Sequence, residues 1–242
     1  MSMSFESRLS ESPLVERVWR SRCEQAGPFT SMALNRVQLV VWREDGKTRF
    51  TVRGPETVAT PAWSPVHEEF VGIVLKCGAY LPHLPPYALR DNLATLPEAG
   101  AAGFYLAGSA WLFPTYDNAD VFIERLARAG LLVYEPVVEA ALQGRMDMDD
   151  LSLRSAQRRF LRATGLTHSA VRQIEPARYA TTLLRRGASI FDAMAEANYF
   201  DQPHLTRSLR RFIGRTPAQL AGKIADGERE QLSFLYKTSP VC

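Results

Sequence analysis

A unit that recurs at a fixed distance constrains this 242-residue chain more than any other feature. Residues 152–167, SLRSAQRRFLRATGLT, line up with residues 201–216, DQPHLTRSLRRFIGRT. At one offset (207 − 158 = 49), Arg158 meets Arg207, Phe160 meets Leu209, Arg162 meets Arg211, Gly165 meets Gly214 and Thr167 meets Thr216. Ser152 and Asp201 open the two copies. Both residue types cap helices by accepting from a backbone N–H that the first turn leaves unpaired. Internal repetition fixes architecture before any single residue does. The repeat therefore predicts two short basic helices of one design, set in a helical C-terminal part.

Charge is segregated in the same way. Residues 151–223 carry 13 Lys or Arg against 4 Asp or Glu. Residues 1–150 carry 14 against 19, and residues 224–242 carry 2 against 3. A basic module behind an acidic one points to a polyanionic partner for the former alone. Its cations are nearly all Arg, whose forked donors suit phosphates and guanine edges. A solvated Arg-rich surface is the alternative on charge alone. Repetition and capping argue for the partner.

No apolar run approaches the roughly 18 residues that span a bilayer. The opening stretch, MSMSFESRLSESPLVERVW, lacks the apolar core of a signal peptide. A cytoplasmic protein without a membrane partner is expected. Cys23, Cys77 and Cys242 are odd in number and not in CxxC spacing. Reduced thiols are expected rather than disulfides or a zinc site.

Along the chain, residues 1–12 are polar and Ser-rich and read as a loose lead-in. The β-branched and aromatic runs 36–42 and 48–53 flank Glu44-Asp45-Gly46-Lys47 and predict a hairpin. Residues 69–77 predict a further strand, and 104–113 a strand or buried loop. Prolines 55, 61, 65, 82, 85, 86 and 97 exclude long helices there. A first helix is expected over 118–129, with Val121, Ile123–Leu126 and Ala129 apolar and Gly130 as its stop. The period then turns helical. Helices are expected over 136–143, 152–164, 168–186, 189–197 and 202–213. Leu153, Ala156, Phe160 and Ala163 form the inner face of the second of these, and Leu205, Leu209, Phe212 and Ile213 that of the last. Residues 145–151 form an acidic link, and Pro176 should kink or restart its helix. Ser189 and Asp192 resemble a capping box. The fold class is therefore α+β: a β-rich sensor or dimerisation domain (1–130), an all-α domain (131–223) and a tail (224–242).

Segment 189–213 has the layout of a helix-turn-helix. The turn needs a positive φ, which Asn198 tolerates best among non-glycine residues. Asp201 can accept from the His204 N–H, and Pro203 forfeits no helical bond in the first turn. The second helix then presents Gln202, His204, Thr206, Arg207, Arg210 and Arg211, a polar, long-armed face such as major-groove reading requires. In the first copy, Arg154, Gln157 and Arg158 stand at i, i+3 and i+4 and share one face. Arg159 and Arg162 lie off it, where phosphate contacts suit them better.

With LSLRSAQRRFLRATGLT and SIFDAMAEANYFDQPHLTRSLRRFIGRTPAQL, residues 137–221 resemble the C-terminal DNA-binding domain of the AraC/XylS family of bacterial transcription regulators. The resemblance implies seven helices, with two helix-turn-helix units joined by a long helix. It maps base contacts onto Arg154, Gln157 and Arg158, and onto Gln202, Pro203, His204 and Arg207. It also implies a cupin-like N-terminal domain that senses a small molecule or dimerises, and KCGAYLPHLPPYALRDNLATLP looks like such a sensor segment. Double-stranded promoter DNA is the implied partner. RNA polymerase, a small-molecule effector and a second copy of the chain are further candidates. The chain departs from the family pattern at Asn198, where a glycine is usual, at Pro176, and in GRMDMDD (144–150), which forms no clear supporting helix.

Other chemistry is thinly represented. His67 and His83, with Glu68 or Glu69, lack metal-ligand spacing, so neither a metal nor another cofactor is expected. Trp42, Trp63, Tyr80, Tyr105 and Trp111 are core residues or a pocket lining, with core the commoner use. Cys77 is a buried structural thiol or a redox sensor, with the former the commoner. There is no phosphate loop, G-x-S-x-G, HExxH or CxxC, so the protein is not expected to be an enzyme. The competing function is an interaction protein whose first unit binds another regulator in place of DNA.

Overall fold

The N-terminal part is built around one antiparallel sheet whose central strands carry continuous buried runs, because successive residues such as Leu39 and Val40, or Ile73 and Val74, enter two different apolar clusters. The structure, a computed structural model, describes residues 3–23, 26–44, 46–64, 69–145 and 152–222. The first seven strands are β1 (Met3–Leu9), β2 (Val15–Cys23), β3 (Gly27–Ser31), β4 (Gln38–Glu44), β5 (Lys47–Arg53), β6 (Thr60–Ser64) and β7 (Glu69–Leu75). After them come β8 (Ala79–Tyr80), β9 (Leu93–Thr95), β10 (Gly103–Leu106) and β11 (Ser109–Leu112). Six of these form the main sheet in the order β1-β2-β7-β4-β5-β9, with every neighbour antiparallel. β3 and β6 form a separate two-stranded ribbon.

The expected hairpin is β4–β5, and the expected strand at 69–77 is β7. The 104–113 segment is a hairpin, β10–β11, turned by Ala107 (φ 49°) and Gly108 (φ 80°). Positive φ at both central residues matches the right-handed twist of the flanking strands. The lead-in reading of 1–12 needs correction, because residues 3–9 are the edge strand β1. An edge tolerates a Ser, Glu and Arg-rich sequence, since one side of it faces water. Phe5 anchors it, its ring 6.3 Å from that of Trp19.

Helix α1 (Ala119–Arg128) lies under the sheet core. Its buried residues are Ala119, Phe122, Ile123 and Leu126, an i, i+3, i+4, i+7 stripe. Val121 and Ala129, expected on the apolar side, face solvent: Val121 lies on the flank opposite that stripe, and Ala129 is the C-cap beyond the last turn. β12 (Val133–Tyr134) then pairs with β8 and leads into α2 (Pro136–Leu142).

Five further helices follow: α3 (Leu153–Thr164), α4 (His168–Arg185), α5 (Ile190–Glu196), α6 (Gln202–Phe212) and α7 (Pro217–Ala221). Seven α-helices are thus seen among the described residues, six of them from residue 136 onward. The acidic link falls largely on residues 146–151, outside the described residues, as does the tail from 223. Pro176 does not restart its helix, and α4 runs unbroken through it. One ladder hydrogen bond is forfeited, but Val171, Ile174, Ala177 and Ala180 hold the turns on either side in the core.

The helical core is built from Val138, Phe160, Ile174, Leu184, Leu205, Leu209, Phe212 and their neighbours, and Met32, Ala33 and Tyr80 of the β-rich part join it. Burying each large side chain contributes about 1.5–3 kcal/mol. Leu153 is an exception to the expected inner face. As the first residue of α3 it lies beyond the core and is 54% exposed.

Candidate nucleic-acid interface

The turn before α6 is set by local chemistry. Ala197 ends α5, and Asn198 takes φ 57°, the left-handed conformation its short amide tolerates. That reversal sends Tyr199 into the core and Phe200 out. Asp201 caps α6 by accepting from the His204 N–H at 2.6 Å. The His204 ring stands edge-on to Tyr199, centroids 5.0 Å apart, so one face of it is braced. Ser152 caps α3 by accepting from Ser155 N–H at 3.3 Å. Ser189 caps α5 by accepting from Asp192 N–H at 3.1 Å. The reciprocal capping box occurs at Thr216 and Gln219, opening α7.

The 49-residue correspondence extends to burial. Ala156 and Leu205, Phe160 and Leu209, and Ala163 and Phe212 are buried pairs at the same offset. The opposite faces therefore present equivalent positions. On α3 these are Arg154, Gln157 and Arg158, all exposed. On α6, Gln202, Pro203, His204, Arg207 and Arg211 are exposed and Thr206 is half-buried. Arg154, Gln157, Arg158, Gln202 and Arg207 have no side-chain hydrogen bond or ion pair among the described residues. Arg211 sits in the last turn of α6, with its guanidinium 5.0 Å from the Phe212 ring centroid.

Two side chains depart from expectation. Arg159 is engaged within the protein: its Nε and Nη2 donate to Glu135 at 3.0 and 2.8 Å, a forked pair. Glu135 also caps α2, accepting from Val137 N–H. Phe200 was not picked out by sequence reasoning, yet it is 93% exposed. An apolar residue just before an N-cap usually packs on the fourth helical residue, here Leu205. With Phe200 almost wholly in solvent and Leu205 turned into the core, that staple is not formed.

The β-rich part has an open cleft of about 890 Å³ on the main sheet, lined among others by Arg20, Val41, Trp42, Phe113 and Tyr116. Arg20 lies over the Tyr116 ring at 4.7 Å and pairs with Glu6 at 2.6 Å. Of the five aromatics singled out from sequence, Trp42 lines this cleft. Tyr80 is in the helical core, Trp111 packs edge-on to Phe122, and Trp63 and Tyr105 are exposed. Cys77 is partly buried, and desolvation raises its thiol pKa. His83 is exposed and Glu69 lies at the start of β7, while His67 and Glu68 fall outside the described residues.

Comparison with known proteins gives one point of reference. The chain is 31% identical over 198 residues to a curated protein of Corynebacterium glutamicum named "HTH-type transcriptional regulator RipA". The match covers 75% of this chain and 59% of that relative's length. No family model matches the chain, and no solved structure matches it. Among the described residues no helix is long and apolar enough to cross a membrane.

Proposed function

We propose that this chain is a sequence-specific DNA-binding transcription regulator of the AraC type, and not an enzyme. α2–α3 and α5–α6 act as two helix-turn-helix units, and α3 and α6 enter successive major grooves on one side of the duplex. The observation that carries this reading is the doubled face: at the same 49-residue offset as the matched buried positions, Arg154, Gln157 and Arg158 on α3 stand where α6 has Pro203, Thr206 and Arg207, with Arg158 and Arg207 both exposed arginines. The name of the Corynebacterium relative supports the same class. Arg and Gln are the residue types that make bidentate contacts with guanine and adenine. The cleft beside Arg20 and Tyr116 gives a cupin-like sensor domain a place for a small-molecule effector. RNA polymerase and a second copy of the chain remain partners on this reading.

Selection of bound DNA from a random pool, followed by affinity measurement at two salt concentrations, tests the proposal. Affinity should fall steeply with salt, because phosphate contacts release counterions. Arg207→Ala should weaken the selected site by about 1–3 kcal/mol and relax preference at one base pair. Binding that is indifferent to salt, or that shows no preference over random DNA, would refute the proposal, and equal weakening on all sequences would contradict base reading by Arg207. A second reading, in which the first unit binds another regulator, draws on Arg159 being tied to Glu135 and on exposed Leu161 standing where α6 has Arg210. A footprint confined to one major groove would favour it.

A further inference from the structure

Both basic helices end against the β-rich part. The last carbonyls of an α-helix have no partner within it. In α6, two of them are taken by the β-rich part: Ala59 N–H donates to Arg211 O and Ala33 N–H to Phe212 O, each at 2.8 Å. Gly214, which follows α6 at φ 78°, lies so close to β3 that a Cβ there would come within 2.8 Å of Thr30 Cγ2. Its counterpart Gly165, closing α3 at φ 70°, abuts Pro86, and a Cβ there would meet the Pro86 carbonyl at 2.7 Å. Between the two, α4 is held by Arg36 Nη1 donating to Glu175 at 2.8 Å and by Arg178 Nη1 donating to Ala33 O at 3.1 Å. The β-rich part thus touches α3, α4 and α6 at once, at the ends of α3 and α6 opposite their caps.

We infer that the β-rich part is a splint that fixes the separation and angle of α3 and α6, and so sets the distance between the two DNA half-sites they accept. Ala33, Ala59, Gly165 and Gly214 are its positioning residues. This rests on the DNA-reading function proposed above. The helix that joins the two units, α4, sets a first constraint, and the splint removes the freedom that remains. Any event that shifts the ribbon β3–β6 or the 32–36 segment moves α6 with it.

Two measurements test this. Amide hydrogen exchange on the intact chain, without DNA, should show the Ala33 and Ala59 amides exchanging as slowly as those inside α6. Fast exchange at both, with α6 itself protected, overturns the splint whatever the DNA result. The second measurement uses the selected DNA site with two base pairs added to or removed from the spacer, which turns one half-site by about 70° relative to the other. The unmodified chain should lose about tenfold or more in affinity. Gly165→Ala and Gly214→Ala should reduce that penalty to about threefold or less. Gly130→Ala, after α1 and outside both units, is the control. It carries the same left-handed cost (φ 69°) with nothing within 4 Å of the added methyl, and it should keep the full penalty. A penalty as steep in the Gly165 and Gly214 variants as in the unmodified chain overturns the splint. Should the unmodified chain select no DNA, the ruler falls with the DNA reading, while protected Ala33 and Ala59 amides would show that the contact itself stands.

Discussion

Replacing Arg36 with Met asks how much the junction between the two parts contributes to stability. The Arg36 side chain is only 15% exposed and lies between Glu16 (3.0 Å) and Glu175 (2.8 Å), with a further bond to Asn35. Burial alone would lower its pKa, but Glu175 and Glu16 more than reverse this, so it is charged throughout. Met keeps much of the volume and removes the charge, which leaves two carboxylates without their shared cation. Removing one member of a buried pair costs about 3–5 kcal/mol. The carboxylates are 25% and 27% exposed, so water recovers part of the loss, and about 2–3 kcal/mol is expected. Urea unfolding gives the difference from the shift in midpoint at unchanged slope. The sign of the pH dependence follows from Glu175. Burial raises its pKa, but Arg36 and Arg178 outweigh burial and hold it below the ordinary value. A carboxylate with a depressed folded pKa stabilises the fold above its unfolded pKa of about 4.3, and that stability is lost as pH falls through the folded value. The gap between the two proteins should therefore be full at neutral pH and shrink as pH drops below about 4. A difference under about 0.5 kcal/mol at pH 7, or one constant from pH 7 to pH 3, would refute the reasoning.

Further outcomes follow from the same contacts. Arg162→Ala, at an exposed position on α3, should lower the slope of log affinity against log salt by about 1, whereas Arg159→Ala should leave it unchanged, because Arg159 is held by Glu135. Equal slopes for the two variants would contradict that division. Cys77 should alkylate slowly at pH 7 in the folded protein and quickly in urea, since desolvation raises its pKa; mass mapping after brief labelling measures this. Phe200→Ala should leave thermal stability within about 0.5 kcal/mol while weakening the selected DNA site, because the exposed ring stands beside the first turn of α6; a markedly lower melting temperature would show instead that the ring packs.

Much of the helical part was legible because its signals are local. Ser152, Asp201 and Ser189 cap where the residue type predicts, Asn198 takes the positive φ, and Phe160, Leu205, Leu209 and Phe212 face inward with the helical period. The β-rich part was legible only where a turn signal lay between two apolar runs, as at β4–β5. β1 was hidden by the polarity of an edge strand, and β3–β6 by its prolines. In α1 the expected apolar side included Val121 and omitted Phe122, which is the buried one; the two are adjacent in sequence, and only the neighbouring sheet decides which of them is buried.

The repeat, the caps, the charge segregation and the outward row of Arg and Gln side chains belong to the sequence itself, because each is a relation between residues a few positions apart or between two copies of one pattern. Which of those arginines is free to meet a partner does not. Helical phase sets Arg159 off the face of Arg158, but only the approach of Glu135, 24 residues away, takes it out of reach of a partner. Arg36 meets Glu175 across 139 residues, and Ala33 meets Arg178 across 145. No local period encodes such pairings. They arise when two cores close on each other, and the seating of α3 and α6 on the β-rich part is a property of that closure.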